Sequence, residues 1–424
     1  MKVVIINKSD STGGAAVVSY RLMEALRQEG VDARMLVCEK CTDSPFVEKA
    51  ASDSVIKRKF VLERMKIFLA NGFKRSTLFK IDTGEIGLPL WRHPLVKSAD
   101  AILLNWVNQG MLSLKGVKKI LKTGKPVIWT MHDMWCMTGI CHHAGTCNHY
   151  RQQCGNCPLL SKKDSNDLSH KIFEKKQKIY DNPALMQRAA FVAVSTWLKG
   201  KASQSTLLGR MRVEVIPNAF KLNSPEERGF HNQKKIRILF GAARLDDPIK
   251  GLDTLKETTR ILKAIYPEIS GKLEISLFGN LKDDKALEGF ELPVIRLGVL
   301  KGEEVAKAYR EGDIVVSASS YETLPGTLVE AQAYGCIPVS FNQGGQADII
   351  DNLYTGVIVP YSEVLDTRAR NLAQGILWAV SIIQDPSKHR PMIHKMAESV
   401  DRKFSYSSVA GKYISLIMSL SKPE

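Results

Sequence analysis

Twice along these 424 residues, short apolar runs alternate with amphipathic helical stretches. From about 236 to 360, Ile236–Arg244, Leu273–Phe278 and Asp313–Ser319 each lead through a turn into a helical pattern. Repeated strand–helix units make a doubly wound parallel sheet, which binds its ligands at strand carboxyl ends. The N-terminal half repeats the pattern, with strands expected at Lys2–Asn7, Asp32–Cys38, Ala101–Val107, Pro126–Met131, Phe191–Ser195 and Val213–Ile216. The fold class is therefore α/β, with two Rossmann-like doubly wound domains. Two domains of about 200 residues suit the length. Their expected bounds are 1–220 and 236–404, joined by a polar linker over 221–235.

The second half carries a phosphate-site pattern. In Ser320-Tyr-Glu-Thr-Leu-Pro-Gly-Thr-Leu-Val-Glu-Ala331, the strand Asp313–Ser319 passes through a Pro/Gly turn into a helical run, Thr327–Tyr334. Pro325 and Gly326 suit a helix start. The amides of Gly326, Thr327 and Leu328 are expected to point out of that helix at an anion. Glu322 precedes the turn and Glu330 lies about one turn inside the helix, so a carboxylate stands on each side of a bound diphosphate. Carboxylates accept hydrogen bonds from sugar hydroxyls, and the pattern reads as a nucleotide-sugar site.

Glu322-x7-Glu330 resembles the paired-glutamate motif of retaining GT-B glycosyltransferases, family 4 in particular. The resemblance implies that Glu322 contacts the donor sugar and Glu330 the ribose. Pro325 stands where the commoner family form has glycine, and Gly326 follows it. Arg244, ending its strand, and Lys250-Gly251 resemble the family's clamp on the donor diphosphate. Such cations suit a leaving group that gains negative charge, because fixed charges aimed at developing charge are commonly the largest catalytic contribution. Gly279 resembles the family glycine that lets backbone approach the base, and Gln343-Gly-Gly-Gln-Ala-Asp348 a segment near the donor sugar. Pro217-Asn218-Ala219 resembles the segment ending the first domain.

The same resemblance implies two domains facing across a cleft, with residues 405–424 forming a helix that returns to the first domain. It places the Gly13-Gly14 loop, at a helix start after the first strand, opposite the donor phosphates. It also makes His132, at the end of the strand Pro126–Met131, the residue that binds a donor-sugar hydroxyl, with Asp133 able to set its tautomer. Read from the residues alone, Asp133 caps the next turn and His132 packs. Retention follows from the family, and no catalytic metal is implied, since Arg244, Lys250 and the helix start supply the charge.

Cys141-x5-Cys147-x6-Cys154-x2-Cys157 is interleaved with His142, His143 and His149, and Cys136 lies just upstream. A structural zinc clip on Cys141, Cys147, Cys154 and Cys157, two disulfides, and reduced buried thiols are the three readings open to it. No signal-peptide pattern is read, so a cytoplasmic address is expected and disulfides are disfavoured. The segment Trp135, Thr138-Gly139, Cys141-His142 and Cys154–Pro158 is similar to one in family 4 enzymes of bacterial colanic acid and capsule assembly.

Sixty Lys and Arg against 44 Asp and Glu give a net charge of +16, which implies an anionic partner. Between Lys57 and Arg75, bases interleave with Phe60, Val61, Arg64, Met65 and Phe68 at helical spacing, the profile of a helix on an anionic membrane surface. A solvated surface helix is the plainer reading. No apolar run is long enough to span a bilayer.

The expected activity is transfer of a sugar from a nucleoside diphosphate sugar to a saccharide acceptor, lipid-linked, at the inner membrane face. A sugar-nucleotide epimerase of the same architecture is one alternative, and a basic nucleic-acid-binding protein the other. The scattered bases lack the interleaved aromatics that nucleic-acid binding needs, so no nucleic acid partner is expected.

Overall fold

The structure, a computed structural model, describes residues 1–222 and 235–421. Its contacts divide the chain into Met1–Ala219 with Tyr406–Glu424, and Phe220–Ser405. Most of the expected linker, residues 223–234, lies outside the described residues.

The first unit is built on a parallel sheet of strands β1 (Lys2–Ser9), β2 (Asp32–Glu39), β3 (Val47–Lys49), β4 (Ala101–Leu104), β5 (Val127–Met131), β6 (Ala189–Ala193) and β7 (Val213–Val215), in the order β3-β2-β1-β4-β5-β6-β7. Val3, Val4, Ile5 and Ile6 are all buried. A parallel strand covered on both faces must be apolar at consecutive positions rather than alternate ones. The winding reverses direction between β1 and β4, which are hydrogen-bonded neighbours.

Helix α1 (Gly14–Gln28) buries Ala16, Ser19, Leu22, Met23, Ala25 and Leu26, the stripe that faces the core. Against it packs the helix Tyr406–Ser421, whose Val409, Tyr413, Ile417 and Leu420 enter the same hydrophobic cluster. The Tyr406 hydroxyl donates to Glu24 (2.9 Å), and the Thr130 and Tyr413 hydroxyls pair at 2.8 Å.

Helix α2 (Asp53–Ala70) differs from its expected form. Arg64, read as part of an outward basic stripe, is buried with Glu63. Its guanidinium donates to Glu63 and to Asp82 (2.9 Å), and to the carbonyl oxygens of Leu78 and Ile81. Burial, reinforced by the charge of Asp82, pushes the Glu63 carboxyl well above the usual range. A buried arginine must satisfy its donors internally, and here it ties α2 to the loop that follows. Val61, Leu62, Met65 and Leu69 are exposed instead, with Phe73 and Phe79 just beyond the helix.

The second unit repeats the plan with β8 (Ile236–Arg244), β9 (Leu273–Asn280), β10 (Val294–Gly298), β11 (Ile314–Ser317), β12 (Ile337–Phe341) and β13 (Val357–Val359), ordered β10-β9-β8-β11-β12-β13 and all parallel. Its reversal lies between β8 and β11. Ile238, Phe240, Ile275, Leu277, Ile314, Val316, Val339 and Ile376 are central to its core.

Candidate functional site

In the second unit the candidate residues gather where β8 and β11 end side by side. Arg244 is the last residue of β8, and β11 leads through Ser319 to Glu322. After Arg244 a short 3-10 turn, Pro248–Lys250, ends at Gly251 with φ +77°. A Cβ there would stand 2.2 Å from the Ala318 oxygen, so only glycine lets this loop lie against the β11 end. The Ser320 amide donates to the Ile249 oxygen (2.9 Å), which fixes the two loops together.

That tie brings Lys250 to Glu322: Nζ lies 2.5 Å from Oε1, and the Ser319 hydroxyl donates to the same oxygen (3.1 Å). Glu322 is held by backbone as well. Its amide donates to the Gln343 oxygen and its carbonyl accepts from the Gly345 amide (3.1 Å). Between them Gly344 lies so close that a Cβ would sit 1.6 Å from the Glu322 oxygen. The Gly-Gly segment therefore serves as the rail on which the Glu322 backbone runs.

The helix Gly326–Ala333 starts next, with Pro325 at its N-cap. The Leu328 amide donates back to the Pro325 oxygen (3.1 Å), so it is not turned outward as expected. Gly326 and Thr327 occupy the first two helical positions, whose amides have no intrahelical acceptor. Within the helix, Glu330 Oε2 accepts from the Tyr309 hydroxyl (3.3 Å). Tyr309 is itself wedged between Phe278 and Tyr334.

Arg244 is more exposed, and its guanidinium pairs with both oxygens of Asp246 (3.2 Å each). That hydrogen-bonded carboxylate raises the Arg244 pKa further and lowers that of Asp246. Gly279, at φ +134°, lets β9 pass the β8 end, where a Cβ would meet the Ala242 oxygen at 1.8 Å. Asp246 and Ser319 lie close in sequence to the residues they hold but carry no motif that marks them, and Tyr309 meets Glu330 only once the fold has formed.

The remaining candidates belong to the first unit. Gly13, at φ +89°, caps α1, and both Gly13 and Gly14 have open space where a Cβ would stand. His132 follows β5, and its Nε2 is buried without a hydrogen-bond partner among the described residues. Burial pushes its pKa down to about 4. Asp133 does not pair with His132, contrary to expectation. Its Oδ1 accepts from the Trp135 amide (2.8 Å), capping the next turn, and its Oδ2 meets His142 Nδ1 at 2.7 Å. Although burial opposes ionisation, the His142 charge holds Asp133 down near 2, and Asp133 raises His142 in return.

Cys141, Cys147, Cys154 and Cys157 line one cavity of about 20 Å³. Among the described residues, no group of three or more His, Cys, Asp or Glu is arranged to hold a metal ion, so the zinc expectation lacks support. All eight cysteines are free thiols. Burial pushes Cys141 up to about 12 and Cys154 to about 11, and the Cys154 sulfur accepts the Gly139 amide. Lys176, wholly buried beside them, donates to the carbonyls of Trp135 (2.5 Å) and Thr138 (3.0 Å). In this arrangement the segment is a packed cluster of reduced thiols with a buried lysine beside it.

Comparison with known proteins fits the geometry. Residues 236–380 match the family described as glycosyl transferases group 1. The chain is 23% identical to the putative colanic acid biosynthesis glycosyl transferase WcaC of Escherichia coli K12, over 86% of this chain and 89% of the relative. It superposes on a glycosyltransferase from Rickettsia africae with a TM-score of 0.65 at 14% identity, over 100% of this chain and 99% of that one. HepE of Anabaena, solved with UDP and glucose, gives a TM-score of 0.59 at 15% identity, over 99% and 100%. The chain is a glycosyltransferase of GT-B fold, with its group 1 glycosyl transferase domain over residues 236–380.

Proposed function

We propose that the enzyme transfers a sugar, with retention, from a nucleoside diphosphate donor to a lipid-linked saccharide in bacterial surface-polysaccharide assembly. The observation that carries this is the Lys250–Glu322 pair, set at a strand reversal beside the first amides of Gly326–Ala333. A diphosphate there meets Lys250, Arg244 and the amides of Gly326 and Thr327, with Glu330 toward the ribose. Glu322, released from Lys250, turns to the sugar hydroxyls. As the bond from C1 to the phosphate oxygen breaks, the acceptor oxygen bonds C1 on the same face and its proton passes to the leaving phosphate. The two cations and the helix start supply the charge that a metal ion would otherwise bring.

The test is incubation of purified protein with UDP- and GDP-sugars and lipid-linked acceptors, with and without EDTA. Transfer with the donor's anomeric configuration, unaffected by EDTA, is expected. An inverted product overturns retention, and donor conversion without any acceptor supports the epimerase reading.

Peripheral membrane docking fits the same reaction. The exposed Val61, Leu62, Met65, Leu69, Phe73 and Phe79 stand beside exposed Lys57, Arg58 and Arg75, a profile suited to anionic lipid. Each such base contributes about 1 kcal/mol near an anionic surface. Co-sedimentation with anionic liposomes should fall with salt and with Leu69→Asp. Equal sedimentation of that variant would return α2 to a plain surface helix.

A further inference from the structure

Glu330 stands partly exposed in the second turn of the helix Gly326–Ala333. Its carboxylate is engaged by a residue of another element. Tyr309, near the end of the helix Glu303–Glu311, brings its hydroxyl to 3.3 Å from Glu330 Oε2. A carboxylate only accepts, so the phenol is the donor. Tyr309 is 1% exposed, and a phenol buried to that degree needs a partner for its hydroxyl.

The tyrosine ring is fixed on both faces and along its backbone. It stacks on Tyr334 with centroids 5.8 Å apart at 22°, and meets Phe278 edge-on at 5.8 Å and 87°. Phe278 in turn lies over Gly241 of β8, where a Cβ would come 2.1 Å from its ring. The Tyr309 carbonyl accepts from the Gly312 amide (3.2 Å) and from the Cys336 thiol (3.0 Å). A stack running from Gly241 through Phe278 to Tyr309 thus sets the point from which the hydroxyl reaches Glu330.

Such a contact matters because of what a glutamate otherwise loses on binding. Its side chain has several rotatable bonds, and ordering them around a ligand subtracts from affinity. A Glu330 already held in place loses little more. The cis diol of a ribose offers two hydroxyls, both able to donate to a carboxylate. We propose that Tyr309 is a positioning residue for ribose recognition: it orients the Glu330 carboxylate toward the 2′ and 3′ hydroxyls of the donor nucleotide, and so makes the site select ribonucleotides. The assignment rests on the reading of Glu330 as the ribose contact given above. Tyr309 is buried and acts through Glu330 rather than on the ligand.

Titration calorimetry on the full chain tests it, with UDP, GDP and their 2′,3′-dideoxy forms as probes. For the better-bound base, wild type should prefer the ribonucleotide by at least about tenfold. Tyr309→Phe keeps the ring and its packing and removes one oxygen. It should weaken the ribonucleotide about three- to tenfold and leave the dideoxy form unchanged, since only the first uses Glu330. In a Glu330→Ala background the same change should alter neither. Equal weakening of both forms would make Tyr309 a packing residue, and no weakening of either would make the contact idle. Each of these overturns the proposal alone, as does any effect of Tyr309→Phe once Glu330 is gone. A Glu330→Ala variant that keeps the wild-type preference would overturn the ribose reading of Glu330 and this assignment with it. Wild type that binds neither UDP nor GDP would overturn the donor reading itself.

Discussion

The two sheets reverse direction in the same way and end in opposite chemistry. At the β8/β11 reversal stand Arg244, Lys250 and a helix start, all suited to anions, and carboxylates hold both cations in place. At the β1/β4 reversal stand Trp106, Asn105 and Asn108 with amide atoms unpaired among the described residues, and His142 held by Asp133. One architecture thus presents two kinds of chemistry at its strand ends, because strand ends fix positions while loops choose side chains. The charged reversal has its partners paired within the chain, and binding there must exchange one ion pair for another. The other buries polar atoms that lack such partners.

The largest effect expected from breaking this contrast is at Glu322. Glu322→Ala should lower turnover by on the order of 10²–10³, while nucleoside diphosphate affinity stays within a few-fold. Turnover close to wild type would move the sugar-contacting role elsewhere. Gly344→Ala should act almost as strongly without removing any functional group. Its Cβ would collide with the Glu322 carbonyl, and forced backbone shifts cost about 1–3 kcal/mol. A melting scan and a turnover assay should fall together, and an unchanged pair would show that the rail yields freely.

How much of this was legible beforehand follows from the kind of signal each feature leaves. Consecutive burial stamps β1, β8 and β11 on the sequence as unbroken apolar runs, so both sheets could be read. Arg244, Lys250 and the two glutamates sit at strand ends and a helix start, which local sequence marks. The Trp106–Asp133–His142 contact joins residues far apart in the chain with no periodicity. The burial of Arg64 was hidden because bases surround it in α2, and its partner Asp82 lies beyond the helix. The edge strands β3 and β13 are three residues long and barely rise above loop composition.

Arg244→Ala sharpens the comparison next. Losing one exposed, solvent-screened cation should weaken UDP binding and slow transfer together by about tenfold, measured by titration calorimetry and initial rates. Normal diphosphate affinity would place the clamp elsewhere.

A pH dependence of the first unit comes last, because it acts on stability rather than on turnover. Burial lowers the folded pKa of His132 from its ordinary value of 6.5 to about 4, so the unfolded chain binds its proton first as pH falls. Its contribution is intact above 6.5 and declines as pH falls from 6.5 toward 4. The Asp133–His142 pair behaves differently. Asp133 stabilises above its unfolded value of 3.8 and loses that only as pH falls toward 2, whereas the raised His142 contributes fully below 6.5 and loses it at higher pH. Unfolding titrations between pH 4 and 7 should therefore show a fall on acidification that His132→Gln flattens by ~1–3 kcal/mol. An unaltered slope in that variant would assign the acid sensitivity to other groups.

The return of Tyr406–Ser421 onto α1 has a consequence for how the protein is made. Residues 1–219 leave the ribosome early, but the helix that covers α1 is translated only after the whole of the second unit. Until then the apolar groove that will hold Tyr413, Ile417 and Leu420 is uncovered, so a nascent first domain is obliged to wait. The second unit, continuous in the chain, can close first. Translation order and completion order are thus reversed, and the domain begun first is the one finished last.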